Sequence, residues 1–235
     1  MKADGLKNKK LGIPKSVLNS PYEQLNSLLR KAMEDIKQQG AEVIELEEKM
    51  DNKIYDAEYQ VLLYEFKDGL NKYLSNSNAK VKSLKEVIDY DNKNEDQAMP
   101  YFKQEILEQA EAKGDLESKE YKDALMNSQT KARKYIDEIL SKYKLDAICG
   151  AAYGPAWCTD FVNGDHFTST GMNIPAAIAG YPSISVPMGF IHELPVGFTF
   201  VGKAFAEPEL ISLAFAYEQI SKGRKPPKFI QSLED

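Results

Sequence analysis

Cysteine, histidine and tryptophan are scarce in this chain: two, two and one among 235 residues. Cys149 and Cys158 are too few for a disulfide scaffold and lack the paired spacing of a zinc site, so a reducing, cytoplasmic setting is expected. Two histidines far apart in sequence leave only carboxylates to bind a metal, and neither metal nor cofactor is expected. The glycine loops that cradle phosphate, G-x-G-x-x-G and G-x-x-x-x-G-K-[ST], are missing, which removes visible support for nucleotide chemistry. Positive charge is not in excess. Thirty basic against 36 acidic residues give a net charge of −6, which repels polyphosphate and argues against a nucleic-acid partner. No apolar run approaches the ~20 residues of a membrane span, and the opening MKADGLKNKKLGIPKS has no apolar segment behind its lysines; no membrane contact and no signal peptide are expected. The same opening reads as an inter-element loop, so the chain is expected to be a piece of something longer.

What is present is ordinary globular material, 43% hydrophobic and 28% charged, long enough to bury a core without staples. Leu11 to Ile13 reads as a short buried strand. Ser20, Pro21 and Glu23 then have the types of an N-cap, a first-turn proline and a capping-box glutamate. Leu25, Leu28, Leu29, Ala32, Met33 and Ile36 recur at helical steps up to a C-cap at Gly40, and Ala41 to Leu46 makes a second strand. This β-α-β start predicts a parallel pair with a right-handed crossover, and hence an α/β fold. From Asp56 to Tyr73 the spacing of Tyr59, Leu62, Leu63, Phe66, Leu70 and Tyr73 predicts a helix, with Glu58 and Glu65 bordering the apolar face. Residues 75–98 read as a surface loop with one helical turn, followed by helices over 100–113 and 118–142. Region 50–142 is therefore a largely helical insertion within a single α/β domain spanning 1–235.

Further on, Leu145 to Cys149 reads as a buried strand and Ile174 to Ala179 as a short helix ended by Gly180. Ser183 to Met188 and Val196 to Gly202 form a hairpin turning at His192 and Glu193, and Pro208 opens a last helix closed near Gly223. Between these elements lies AAYGPAWCTDFVNGDHFTSTG, a long aperiodic stretch of the kind that binds or catalyses. His166 with Asp160 or Asp165 and with Ser169 or Ser183 would supply the types of a hydrolytic triad, but no G-x-S-x-G turn accompanies them. Cys158 is a nucleophile only if His166 serves as its base; otherwise it is a half-buried apolar thiol. Trp157 either packs in a core or lines a ligand cleft, and Asp160, Asn163 and Asp165 either staple the loop or face that cleft. Glu65 is either a solvated glutamate or a carboxylate aimed into the same cleft.

The run Asn173 to Gly189, the segment Leu194 to Gly202, the closing Leu213 to Glu218 and the start Lys10 to Pro14 together resemble the C-terminal part of the amidase signature family. Within it, GPAWCTDFVNGDH from Gly154 to His166 is most similar to the 6-aminohexanoate cyclic-dimer hydrolase branch. The resemblance implies the C-terminal portion of the amidase signature fold, a mixed sheet with helices packed on it and several helical insertions. It also implies a serine hydrolase of carboxamides that uses a nucleophilic serine, a second serine and a lysine base. The glycine- and serine-rich stretch that carries this set in the family is not in the chain, so the chain alone is expected to be inactive. No catalytic residue is therefore expected here. Glu65, Tyr153, Trp157, Cys158, Asp160 and Asn163 are expected to wall the substrate pocket. The implied partners are the missing N-terminal catalytic half and a small-molecule amide, with homo-oligomerisation through the exposed sheet edge as a further expectation. The competing reading is a non-catalytic α/β module that binds a small molecule or a subunit.

Overall fold

The structure is a computed structural model that describes residues 3–167 and 171–229; Ser169 lies outside the described residues. The chain divides into two compact units, one of Met1–Lys49, Ile136–Trp157 and His166–Asp235, the other of Met50–Tyr135 and Cys158–Asp165.

The first unit is built on a five-stranded mixed sheet of order β2-β1-β3-β5-β4, with β1 (Lys10–Pro14), β2 (Glu42–Leu46), β3 (Ala147–Ala151), β4 (Ser183–Ile191) and β5 (Leu194–Val201). β1 runs parallel to β2 and β3, while β5 runs antiparallel to β3 and β4. The parallel β1–β2 pair follows from the β-α-β start, and the α/β class read from the sequence is the class observed. The hairpin turns at His192 and Glu193, both with positive φ (46° and 65°), the backbone that a two-residue turn needs to match strand twist.

A short helix α1 (Lys15–Leu18) leads to α2 (Glu23–Gln38), which buries Leu25, Leu29, Ala32, Met33 and Ile36. Its N-terminus departs from expectation. Ser20 does not cap the helix; its hydroxyl donates to Asn26 Oδ1 at 2.8 Å, and Asn26 Nδ2 donates back to the Ser20 carbonyl at 2.8 Å. The buried Asn26 thus fixes the approach to the helix, and Pro21 stays outside it. Gly40 follows the helix with φ +85°, as its predicted role requires.

The second unit is helical: α3 (Asn52–Asn76), α4 (Leu84–Lys93), α5 (Glu95–Ala98), α6 (Glu105–Glu111), α7 (Lys119–Leu125) and a π-helical turn (Met126–Thr130); α8 (Lys131–Tyr143) follows it in the chain, and its residues from Ile136 on belong to the first unit. Residues 75–98 hold a ten-residue helix where a loop is predicted. The Ser83 hydroxyl accepts from the Glu86 amide at 3.2 Å, and Leu84 is fully buried with Leu63 and Ala110, so tertiary packing completes a helix too short to stand alone. The helix predicted from residue 100 starts instead at Glu105, because Gln104 turns its side chain to Asn92 Oδ1 (2.9 Å) and the Ile88 carbonyl (3.3 Å).

In the first unit, α9 (Asn173–Ala179) ends at Gly180 in the left-handed region, and α10 (Glu207–Ser221) buries Leu210, Leu213, Ala214 and Tyr217. Its C-cap is Lys222 (φ 43°) and not Gly223. Gly223 serves another purpose: a Cβ there would meet the Pro187 carbonyl oxygen at 2.6 Å. The core centres on Phe198, Phe200 and Tyr217, whose rings lie 4.9–6.2 Å apart between β5 and α10. The opposite sheet face carries Gly150, whose absent side chain leaves room for Val17 of α1 and for Met172. Among the described residues no helix is long and apolar enough to cross a membrane.

Candidate functional site

The long loop leaves β3 at Ala151, and its two ends are tied to the sheet of the first unit. Ala152 donates to the Gly197 carbonyl at 2.8 Å, and Met172 donates to the Ala151 carbonyl at 3.0 Å. Gly171 packs so tightly beneath the first of these links that no side chain fits there. This anchoring carries Tyr153 and Trp157, with ring centroids 6.4 Å apart, and Trp157 meets the edge of Phe167 at 5.3 Å. Pro155 is buried and Trp157 half-buried, while Phe167 is 72% exposed. The single tryptophan is thus covered on one side by its own loop and leaves an aromatic surface open.

The segment Cys158–Asp165 belongs to the second unit. Here one carboxylate organises a turn: Asp160 Oδ1 accepts from the amides of Val162 and Asn163, both at 2.8 Å, and Oδ2 accepts from Asn163 Nδ2 at 2.9 Å. Gly164 closes the turn with φ +77° and an isolated bridge to Asp160. The tight turn pushes Phe161 and Val162 outward, and Phe161 stacks on Tyr101 at 4.1 Å, with Phe102 at 6.3 Å. Glu65, on α3 of the same unit, is exposed and accepts from the Tyr121 hydroxyl at 2.8 Å. Burial, joined by that bond to a carboxylate, pushes the Tyr121 hydroxyl up to about 12.

The six residues singled out from sequence therefore fall into separate groups. Tyr153 and Trp157 form an aromatic pair in the first unit. Asp160 and Asn163 form a hydrogen-bonded turn in the second, next to an exposed Cys158, and Glu65 is bound to Tyr121. Sequence reasoning did not single out Tyr101, Phe102 or Phe161, since no period marks an aromatic whose partner is sixty residues away. Ser183, one of the two serines weighed for a triad, is exposed on β4. Among the described residues no cluster of three or more His, Cys, Asp or Glu side chains is placed to hold a metal ion. A cavity of about 600 Å³ in the first unit is lined by Asp137, Leu145, Asp146, Phe205 and Glu209, and holds none of the six.

The two cysteines differ in burial. Burial drives the Cys149 thiol up to about 12, so it carries essentially no thiolate at neutral pH, whereas Cys158 is exposed. A disulfide-exchange reagent at pH 8 is expected to titrate one thiol per native chain and a second only in denaturant. Two fast thiols in the native protein would contradict the burial of β3.

Comparison with known proteins places these features in context. The chain is 34% identical over 234 residues to a probable amidase of Arabidopsis thaliana, an alignment that covers 96% of this chain and 41% of the plant protein. The solved peptide amidase of Stenotrophomonas maltophilia superposes with a TM-score of 0.84 at 34% identity, over 97% of this chain and 46% of that one. A peptide amidase in complex with the competitive inhibitor chymostatin superposes with a TM-score of 0.87 at 36% identity, over the same shares. The chain thus spans somewhat less than half the length of these relatives. The Amidase family model matches residues 2–211, from ahead of β1 into α10, and the chain belongs to the Amidase family.

Proposed function

We propose that this chain is the C-terminal half of an amidase that hydrolyses carboxamides through a serine acyl-enzyme, and that it supplies walls of the substrate pocket and not the Ser-Ser-Lys set. The observation that carries this reading is the superposition on peptide amidase over 97% of this chain and only 46% of that one. In the assembled enzyme a serine hydroxyl from the other half adds to the amide carbonyl, the amine leaves with a proton from the base, and water releases the acid. The contribution of this chain is recognition. Tyr153 and Trp157 offer an apolar wall, the Asp160–Asn163 turn holds Phe161 outward beside Cys158, and Glu65 supplies a carboxylate. The stretch Gly154 to His166 supports a small linear or cyclic amide as substrate, as in the 6-aminohexanoate cyclic-dimer hydrolase branch. Two unpaired cysteines fit a cytoplasmic setting.

The test uses the chain alone and then together with the remaining half of the fold. Alone, it is expected to show no turnover of peptide amides or aryl amides and no labelling by a serine-reactive phosphonate; in the assembled enzyme both are expected. Stoichiometric phosphonate labelling of the isolated chain, or a turnover that His166→Ala abolishes, would show a hydrolytic centre within it. An assembly that binds amides without cleaving them would favour a non-catalytic binding module.

A further inference from the structure

α3, unlike α2, has apolar residues on two faces. One is buried through Ile54, Val61, Leu63 and Leu74. On the other, Tyr59, Leu62, Phe66 and Tyr73 succeed one another at steps of three, four and seven residues, which keeps them in one line along the helix. They are 38%, 51%, 44% and 70% exposed. The exposed face of α2 is by contrast charged, with Lys31 bound to Asp35 and Arg30 to Glu23. A contiguous apolar line of this size left in solvent marks a contact surface.

A second observation lies on the same line. Gly69 falls between Phe66 and Tyr73 in the middle of the helix, where glycine weakens the structure relative to alanine. Nothing within 4 Å would touch a Cβ placed there. Among the described residues no contact explains the glycine, whereas another backbone approaching closely at the notch would.

We propose that this face of α3, with the Gly69 notch at its centre, receives the half of the amidase fold that this chain does not span. The proposal rests on the functional reading above and adds its docking surface. Judged from the size of aromatic side chains, the four residues expose roughly 400 Å². A second copy seated face to face would bury roughly twice that, short of the ~1,200 Å² at the lower end of stable specific interfaces. The missing half is a partner at least as large as this chain, since the region shared with this one is 46% of the matched peptide amidase chain. Its docking would bury this face as one part of a core-like interface.

The experiment mixes the full chain with the part of the Stenotrophomonas maltophilia peptide amidase that this chain does not span, and reads association by sedimentation and calorimetry. One-to-one association is expected. Gly69→Leu fills open space, so it should leave the circular dichroism spectrum unchanged and the unfolding midpoint equal or higher, yet weaken association at least tenfold. Phe66→Glu should do the same. Wild-type chain that does not associate, Gly69→Leu that associates as wild type, or a chain that forms a stable dimer dispersed by Gly69→Leu would each overturn the proposal. Association that obeys these expectations without amide hydrolysis would instead count against the functional reading and leave the docking surface standing.

Discussion

Phe198→Ala is expected to lower the unfolding free energy by about 3–5 kcal/mol, the range for emptying a large aromatic site in a packed core. The ring is fully buried on β5, with Phe200 at 5.0 Å and Tyr217 of α10 at 4.9 Å. Its strand neighbours are Ala151 of β3 and Val186 of β4, so the cavity would open where three strands meet a helix. Ala151 is also where the long loop begins, which ties the core to the candidate site. The surrounding side chains sit on regular elements and have little freedom to collapse inward, which favours the upper part of the range. Phe205→Ala is the matched comparison: that ring is 90% exposed, and its loss is expected to change stability by no more than about 0.5 kcal/mol. Urea midpoints of the two variants decide the matter. Equal shifts would mean that the β5–α10 packing is not the centre of the first unit.

The second large effect is expected from Gly171→Ala. A Cβ at this position would run into the carbonyl oxygen of Ala152 and the side-chain oxygen of Asn173, and would lie 2.8 Å from the Tyr153 ring. A flexible side-chain end can swing away from such a clash, but a backbone carbonyl moves only with its chain. The neighbouring links, Ala152 to Gly197 at 2.8 Å and Met172 to Ala151 at 3.0 Å, hold that chain to the sheet. Relief therefore requires either that these bonds stretch or that Tyr153 leaves its place. Overpacking of this kind costs about 1–3 kcal/mol. Because Trp157 is the only tryptophan and Tyr153 is its ring neighbour, its emission spectrum should report the displacement directly. Gly69→Ala, which meets nothing, is expected to stabilise the chain by about 0.5–1 kcal/mol. Should the two alanine variants behave alike, the tight passage under Ala152 does not exist in solution.

Much of this architecture is legible in the sequence. The helical period of α2, the turn at His192 and Glu193 and the end of α9 at Gly180 rest on interactions within a few residues, which sequence spacing reports faithfully. The helix α4 was not legible, because ten residues with one good cap form a helix only when Leu84 finds Leu63 and Ala110, far away in the chain. Ser20 shows the converse: its type suits an N-cap, but the buried Asn26 offers its hydroxyl a better partner. For the candidate site, the sequence pointed to the loop from Tyr153 to His166 and to an absent nucleophile signature. It did not show that Asp160 fastens the turn with three hydrogen bonds or that Phe161 lies on Tyr101.

The stripe on α3 marks the boundary between the two kinds of knowledge. Periodicity alone established that Tyr59, Leu62, Leu63, Phe66, Leu70 and Tyr73 belong to a helix, since side-chain direction along a helix is a matter of local geometry. Which of them are buried was settled only in three dimensions. Leu63 enters the core of the second unit while Tyr59, Leu62, Phe66 and Tyr73 remain in solvent. Burial is a property of what other segments bring to a surface, and no local pattern contains that information.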